Sequence, residues 1–257
     1  MKNILIKKLF RSVEIIHEEG ILALMKRPFI KIKTIFYVLY LREKIKELNK
    51  NYKLASLLDF AYNMNEGLIR PNQIKSELLK LLQIIKKKKP KFILEIGTAT
   101  GGTLFLLTRM AANDATIISI DLPEGNFGGG FPKWKLPLYK SFTFSNQKIF
   151  FIRSNSHDKN VLIKVKKILK GNKLDFLFID GDHQYEGVKK DFEMYNSLVK
   201  KDGYIGFHDI VFIDHPEDDY GVHDFWNKIK ENYNFEEIVE DWNQNTSGIG
   251  ILKYKKS

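Results

Sequence analysis

The chain has 257 residues, of which 44% are hydrophobic and 28% are charged, and its formal net charge is +11. This composition excludes disorder as the main state and suits one α/β domain with an appendage. Because the sequence contains no cysteine, it also excludes disulfides, thiolate metal sites, iron–sulfur clusters and a cysteine nucleophile.

The N-terminal region carries most of the positive charge. Residues 1–46 hold eleven Lys and Arg against four Glu, a net charge of +7, which leaves +4 for the remaining 211 residues. Large apolar residues between the basic ones predict amphipathic helices over residues 1–67. A helical appendage that packs on the main domain or on a second subunit is favoured over an interfacial helix on an anionic membrane, and both stay open.

No stretch reaches the roughly 20 apolar residues that cross a bilayer, and no signal peptide is evident. We therefore expect a cytoplasmic protein. Peripheral contact with the inner face of a membrane through residues 1–50 and formation of a homo-oligomer are two further expectations for the basic helices.

Residues 68–257 are predicted to form the main domain, beginning with a helix over residues 72–85 that the lysine run 86–89 ends. From Lys91 onward, short apolar runs alternate with helical periods, which is typical of a parallel sheet covered by helices. The predicted strands cover residues 92–96, 116–120, 149–152, 175–179 and 204–207. The predicted helices cover residues 103–112, 158–169, 185–199 and 222–231, and extended pieces at 236–239 and 248–254 close one edge.

A glycine-containing turn follows the first predicted strand. It begins at Glu95 and leads into a helix at Thr103. Glycine lets the backbone approach a ligand, and the free amides of the helix start attract a negative group. Asp121 ends the second strand, where a carboxylate can accept both hydroxyls of a ribose. The turn lacks the Gly-x-Gly-x-x-Gly spacing, so a simple strand-to-helix connection is the alternative.

Charged residues also follow the fourth and fifth predicted strands. Asp180, Asp182 and His183 come directly after one strand, and His208 and Asp209 end the other. In open α/β sheets, ligands bind at this carboxyl edge. Three carboxylates and two imidazoles should therefore meet in one crevice, where like charges are costly unless a cation or a shared proton relieves them.

These motifs resemble known enzymes. The pattern Glu-x-Gly-x-x-x-Gly-Gly-Thr from residue 95, with its acidic second-strand end, resembles the cofactor site of class I S-adenosylmethionine-dependent methyltransferases. The two charged runs resemble metal-assisted O-methyltransferases related to catechol and macrolide-sugar methyltransferases, and most of all the group labelled cephalosporin-hydroxylase-like. The resemblance covers roughly residues 68–254. It implies an α/β fold with a Rossmann-like, doubly wound, mostly parallel sheet, here with an N-terminal helical appendage.

The resemblance also implies S-adenosylmethionine as cofactor. By position, the methionine part would be lined by Glu95, Gly97, Thr98, Gly101 and Gly102. Asp121 would bind the ribose, and Asp180 would also contact the cofactor. Ser156 and His157, after the third strand, are expected near the adenine.

In those relatives, an acid after strand four and an acidic pair after strand five hold a divalent cation, Mg²⁺ or Mn²⁺. By position these residues are Asp180, His208 and Asp209, and His183 would be the base that takes the substrate proton. His208 departs from the pattern, because the relatives carry a carboxylate there and Mg²⁺ tolerates imidazole poorly. A cation on all three residues, a cation on Asp180 and Asp209 with water, and no cation stay open, as does a structural role for His183.

The sequence thus predicts an O-methyltransferase acting on a hydroxyl of a sugar, glycan or glycosylated small molecule. The glycine-rich stretch from Pro123 to Trp134, with three aromatic residues, predicts a mobile cover over cofactor and acceptor. An RNA methyltransferase is one alternative, which is weakened because the basic excess lies outside the catalytic body, and nucleic acid is not expected as a partner. A non-catalytic cofactor-binding or membrane-associated scaffold protein is the other.

Overall fold

The computed structural model describes residues 36–48, 52–123, 131–212 and 220–255. The chain divides into two compact units, Met1–Glu47 and Leu48–Ser257, so the predicted domain boundary after residue 67 falls inside the second unit. In the first unit, residues 36–47 are helical. The predictions for residues 1–35 lie outside the described residues. None of the described helices combines the length and the apolar character that crossing a membrane requires.

A seven-stranded sheet forms the centre of the second unit. Its strands are β1 (Phe92–Ile96), β2 (Thr116–Asp121), β3 (Lys148–Arg153), β4 (Leu174–Ile179), β5 (Val199–His208), β6 (Asn234–Ile238) and β7 (Ile249–Lys253). Their order is β3-β2-β1-β4-β5-β7-β6. The first five strands pair in parallel, whereas β7 pairs antiparallel with both β5 and β6. The predicted Rossmann-like, mostly parallel sheet is confirmed.

In the described part of the second unit, two helices precede the first strand, and five more lie between the strands. They are α1 (Leu54–Asn63), α2 (Lys75–Lys88), α3 (Gly102–Met110), α4 (Leu136–Lys140), α5 (Lys159–Leu169), α6 (Tyr185–Tyr195) and α7 (Val222–Ile229). Helices α1, α2 and α3 contact one another, and α6 contacts α7. Apolar residues of α5, α6 and α7 share one buried cluster with the strands. The sheet is therefore covered by the apolar faces of amphipathic helices, as α/β folds require.

Several helix boundaries differ from the sequence prediction; lysines 86–88, for example, extend α2 instead of ending it. The helix predicted from residue 72 begins at Lys75, because hydrogen bonds with Tyr62 and Asp180 hold Gln73 in a non-helical segment. The helix predicted to residue 199 ends at Tyr195, after which a short 3₁₀ turn leads directly into β5.

The strand order reverses direction between β1 and β4. The chain runs from β1 outward to β2 and β3, and then returns to place β4 and β5 on the other side of β1. Such a switch point opens a crevice at the carboxyl ends of the strands, because the two connections leave in opposite directions. The residues that follow β1 and β4 are therefore the first candidates for a ligand site.

The antiparallel edge depends on a close contact between β7 and α7. Trp226 is fully buried, and its indole Nε1 donates a hydrogen bond of 2.6 Å to Glu237 Oε1 in β6. A Cβ atom at Gly250 would lie 2.6 Å from ring carbon Cη2 of Trp226, so only glycine fits beneath the indole.

Gly250→Ala is expected to reduce the free energy of unfolding by about 1–3 kcal/mol, because the added methyl group overpacks a filled core. In a double-mutant cycle with Trp226→Phe, the cost of Gly250→Ala should shrink, since the smaller ring leaves room for the methyl group. Denaturant unfolding of the four proteins measures both effects. An undiminished cost in the Trp226→Phe background would show that another contact excludes a side chain at position 250.

Candidate functional site

A cavity of about 340 Å³ lies at the carboxyl edge of the parallel strands. Its volume is in the range of sites for small molecules and cofactors. Its walls come from the loops after the parallel strands, from Asn72 ahead of α2 and from Thr246 and Ser247 ahead of β7. Of the predicted site residues, it is lined by Gly97, Asp121, Ser156, His157, Asp180, His183, His208 and Asp209.

Asp121 ties the turn after β1 to the end of β2. Its Oδ2 accepts hydrogen bonds from the backbone N–H groups of Thr98 at 3.0 Å and Ala99 at 2.7 Å. The side chain is buried and yet borders the cavity. One carboxylate thus fixes the shape of the turn and also presents negative charge to whatever the cavity holds.

Glu95 lies fully buried behind this turn. The Thr98 hydroxyl donates to its Oε2 at 2.8 Å, while its Oε1 has no hydrogen-bond partner among the described residues. Burial raises the pKa of Glu95 well above 4.5, and the charges of Asp180 and Asp121 add to this effect while the Thr98 hydrogen bond opposes it. A buried oxygen without a donor suits a ligand that brings a cationic N–H group. The ammonium group of S-adenosylmethionine has this chemistry.

Glycine is required at position 97 because the turn presses against β4. Gly97 has a φ of +86°, and a Cβ atom there would lie 1.8 Å from the carbonyl oxygen of Asp180. The backbones that follow β1 and β4 therefore touch at the switch point. Any side chain at this position would separate the turn from Asp180.

Four residues predicted to line the cofactor site lie behind the cavity wall instead. Glu95 and Thr98 are buried, and the Thr98 hydroxyl lies between Glu95 and Ser119. Gly101 faces the ring of Tyr139, and Gly102 faces the Ile69 carbonyl, each too closely for a Cβ atom. This packing against protein requires glycine at both positions.

Four titratable residues, Asp180, His183, His208 and Asp209, form a compact cluster bordering the cavity. His208 Nδ1 lies 3.1 Å from Asp180 Oδ1 and 3.2 Å from Asp209 Oδ1. Burial lowers the pKa of His208, but the two carboxylates outweigh this effect and raise it well above 6.5. Burial likewise acts to raise the pKa of Asp209, yet His208 and His183 hold it below 3.8. The imidazole of His208 thus lies between the buried Asp209 and the partly buried Asp180 and offsets part of their charge.

His183 lies on the cavity side of the same acids. Its Nε2 is 3.7 Å from Asp180 Oδ1, and its Nδ1 is 3.5 Å from Asp209 Oδ2. The ring of Tyr220 lies beside the imidazole, with a distance of 5.6 Å between centroids. The backbone N–H of Gly221 donates to the His183 carbonyl at 2.8 Å, which fixes the start of α7 against this loop.

A divalent cation fits this cluster through a ligand set that differs from the predicted one. One ligand atom each from Asp180, His183 and Asp209 lies within 4.8 Å of the others. His208 does not join them, because its Nδ1 is held between the carboxylates and its Nε2 is buried without a hydrogen-bond partner among the described residues. Two carboxylates and one imidazole suit Mn²⁺ or Fe²⁺ better than Mg²⁺, which prefers oxygen ligands.

His157 borders the cavity at the end away from this cluster. Its Nε2 lies 3.2 Å from the Gly187 carbonyl and 3.3 Å from Oδ1 of Asp191, a fully buried residue of α6. The hydrogen bond to Asp191 raises the pKa of His157 above 6.5, while burial opposes the change. The Tyr195 hydroxyl donates to the Ser156 carbonyl at 2.7 Å. Helix α6 therefore anchors the loop after β3.

The prediction for the stretch from Pro123 to Trp134 needs a partial correction. Residues 124–130 lie outside the described residues. Phe131 is fully buried and its ring packs on Tyr139 and Phe151, so it belongs to the core and does not face an acceptor. Trp134 is exposed.

Two buried polar residues that shape the site were missed by the sequence analysis. Gln73 donates to Asp180 Oδ2 at 2.6 Å. Glu77 accepts hydrogen bonds from Glu240, Gln244 and Gly248, which fixes the loop that carries Thr246 and Ser247. The sequence did contain a signal for Glu77: a carboxylate next to the apolar face of a predicted helix requires polar partners from elsewhere in the fold.

Comparisons with known proteins agree with this architecture. Residues 94–210 match a family model described as a methyltransferase domain. An uncharacterized protein of Acanthamoeba polyphaga mimivirus is 35% identical over 115 residues, which cover 45% of this chain and 49% of that protein. The chain therefore spans about half the length of this curated relative.

Solved structures of O-methyltransferases share the fold. TomG of Streptomyces achromogenes, solved in complex with S-adenosylmethionine, is 16% identical with a TM-score of 0.54, over 80% of this chain and 91% of that one. A TDP-rhamnose 3'-O-methyltransferase of calicheamicin biosynthesis is 14% identical with a TM-score of 0.52, over 79% of this chain and 92% of that one. Residues 94–210 thus match a methyltransferase domain model, and the chain shares the fold of these solved O-methyltransferases.

Glu95 should make stability depend on pH. Because its pKa is raised on folding, the folded protein keeps a proton that the unfolded chain releases, and stability falls as the pH rises above about 4.5. Glu95→Gln is therefore expected to raise the free energy of unfolding at pH 8 by about 1–3 kcal/mol, with a smaller gain at pH 5. Denaturant unfolding at both pH values measures this, and Glu193→Gln on the exposed surface is the control. A variant no more stable than wild type at pH 8 would contradict the account of Glu95.

Proposed function

We propose that the chain is an S-adenosylmethionine-dependent O-methyltransferase with a histidine base. The observation that carries the proposal is one cavity bordered both by the Asp121-tethered turn and by the cluster of Asp180, His183 and Asp209. A donor site and a proton-accepting site within one cavity are what transfer of a methyl group to a hydroxyl requires.

The walls of the cavity suit the three parts of the donor. Gly97 and Ala99 in the turn after β1, with Glu95 behind them, would lie at the amino acid end. Asp121 would hold the ribose hydroxyls, and His157 with Ser156 the adenine. S-adenosylmethionine supplies an electrophilic methyl group when bound. The protein's task is then to place the acceptor oxygen in line with that group and to exclude competing water.

His183 would accept the proton of the acceptor hydroxyl. Its imidazole borders the cavity, and the oxygens of Asp180 and Asp209 lie 3.7 and 3.5 Å from its two nitrogens. The imidazolium formed by proton transfer would be stabilised by both charges. General bases of this kind contribute about 10²–10⁴ in rate.

A cation at the same cluster is a second role that the geometry supports. Asp180, His183 and Asp209 would hold it, and when bound it would lower the pKa of a neighbouring hydroxyl. A ring nitrogen that binds a cation has no lone pair left for a proton. The base role and the ligand role of His183 therefore predict different results for the same variant.

For the acceptor, we propose a hydroxyl of a sugar or of a glycosylated small molecule. One structural neighbour methylates TDP-rhamnose according to its description. Trp134, Phe212 and Trp242 are exposed, and Phe212 lies three positions after Asp209. Aromatic faces suit the C–H faces of sugars. An RNA acceptor is disfavoured, because buried carboxylates line the cavity and would repel phosphates.

His183→Ala tests this assignment. We expect turnover to fall by about 10²–10⁴ while the affinity for S-adenosylmethionine stays close to that of wild type. Calorimetry measures cofactor binding with EDTA and with Mn²⁺, and release of S-adenosylhomocysteine over a panel of sugar nucleotides and glycosides measures turnover. Unchanged turnover would refute the base role.

Mn²⁺ binding separates the two roles of His183. Unchanged Mn²⁺ affinity in His183→Ala supports the base, whereas an affinity that falls together with turnover supports the ligand role. No binding of S-adenosylmethionine to the wild-type chain would overturn the enzyme proposal and favour a scaffold protein.

A further inference from the structure

Gln73 contacts Asp180 of the cavity cluster, although it does not belong to any of the loops that follow the parallel strands. It lies in the short segment before α2, ahead of the residues 94–210 that match the methyltransferase family model. Its side chain is 4% exposed, and its Nε2 donates to Asp180 Oδ2 at 2.6 Å. The neighbouring Asn72 borders the cavity directly. The segment before α2 therefore supplies Asn72 to the cavity wall and a hydrogen bond from Gln73 to Asp180.

Three hydrogen bonds fix Gln73 in place. Besides the contact with Asp180, its Oε1 accepts from the Thr103 hydroxyl at 2.5 Å, and its backbone carbonyl accepts from the Tyr62 hydroxyl at 2.7 Å. Thr103 belongs to α3 and Tyr62 to α1, so two helices hold the backbone and the amide of one residue. A buried side chain held in this way keeps a single orientation.

The network also determines which end of the amide faces Asp180. A flipped amide would bring Oε1 against a carboxylate oxygen, where two acceptors repel each other. With Thr103 donating to Oε1, only the NH₂ group remains for Asp180, and it can only donate. Gln73 thus holds Asp180 with its Oδ2 directed toward the Gln73 amide.

The other oxygen of Asp180 then has a fixed direction. Oδ1 lies 3.1 Å from His208 Nδ1 and 3.7 Å from His183 Nε2, on the side of the cluster where ligand atoms converge. Without a donor on Oδ2, the carboxylate could rotate about its χ2 bond, because the hydrogen bond that fixes its direction would be lost.

We propose that Gln73 is the positioning residue of this site, which holds Asp180 by one oxygen and thereby makes cation binding by Asp180, His183 and Asp209 depend on the Gln73 amide. The inference rests on the proposed function for the role of the cation. It adds a residue that the family-matched segment does not contain. Removing a group that hydrogen-bonds to a metal ligand and so orients it typically changes metal affinity by about 10–100-fold.

The experiment is a titration of the purified full-length chain with Mn²⁺, followed by electron paramagnetic resonance of the free ion. Gln73→Met keeps the approximate size of the side chain and removes the donor. We expect it to weaken Mn²⁺ binding by about 10–100-fold. Affinity for S-adenosylmethionine, measured by calorimetry, should change little, because Gln73 does not border the cavity.

Two further variants serve as controls. Gln147 is also buried, and its Nε2 donates to the carbonyls of Thr108 and Ala112. It precedes β3, whereas the site lies beyond the other end of that strand. Gln147→Met therefore repeats the chemical change at a distance and should leave Mn²⁺ affinity unchanged. Thr103→Val frees the Gln73 amide to flip and should weaken Mn²⁺ binding in the same direction, by a smaller factor.

Gln73→Leu extends the test if Gln73→Met does not fold. It also lacks a donor for Asp180 and adds no charge, so it should weaken Mn²⁺ binding to a similar extent. A crystal structure of either variant should show the Asp180 carboxylate turned away from His183.

The outcomes separate this proposal from the proposed function. A folded Gln73 variant with wild-type Mn²⁺ affinity overturns the positioning role and leaves the methyltransferase proposal intact. Equal losses in Gln73→Met and Gln147→Met also overturn it, because general destabilisation would then explain both. A wild-type chain that binds S-adenosylmethionine but no Mn²⁺ removes the cation from the proposed function and the role of Gln73 with it.

Discussion

Burial of several acids at one edge of a parallel sheet is the constraint on which this site depends. Glu95, Asp121 and Asp209 are buried at or behind one cavity that the partly buried Asp180 also borders, and ionising several acids so close together is costly. Asp121 is satisfied by backbone N–H groups of the first turn, and Asp209 by the imidazole of His208. Glu95 keeps one oxygen without a described partner. A cationic ligand would complete this arrangement.

The sequence was sufficient to predict the sheet and the residues at its edge. Short apolar runs gave the five parallel strands, and charged residues directly after them had to meet at the switch point, which is where Asp180, His183 and Asp209 lie. Periodicity could not show that Gln73 lies outside the helix. Its partners Asp180 and Thr103 are distant in sequence, and a single sequence contains no signal for such a contact.

The roles within the cluster were also beyond the sequence. The family resemblance implied His208 as one metal ligand beside the acids, but the structure places its Nδ1 between two carboxylates, where it acts as a counter-charge. His183, which borders the cavity, is instead the histidine that lies close enough to Asp180 and Asp209 to share a metal ion with them. Gly101 and Gly102 were similarly ambiguous, because a glycine that allows close packing and one that admits a ligand look the same in a sequence. Only the neighbours of each glycine distinguish the two cases.

A crystal structure of the full chain with S-adenosylhomocysteine tests the central claim most directly. The account predicts that the ribose hydroxyls contact Asp121 and that the sulfur points toward the space bordered by Asp180 and His183. A nucleoside bound in the reverse orientation, or bound outside this cavity, would contradict the account.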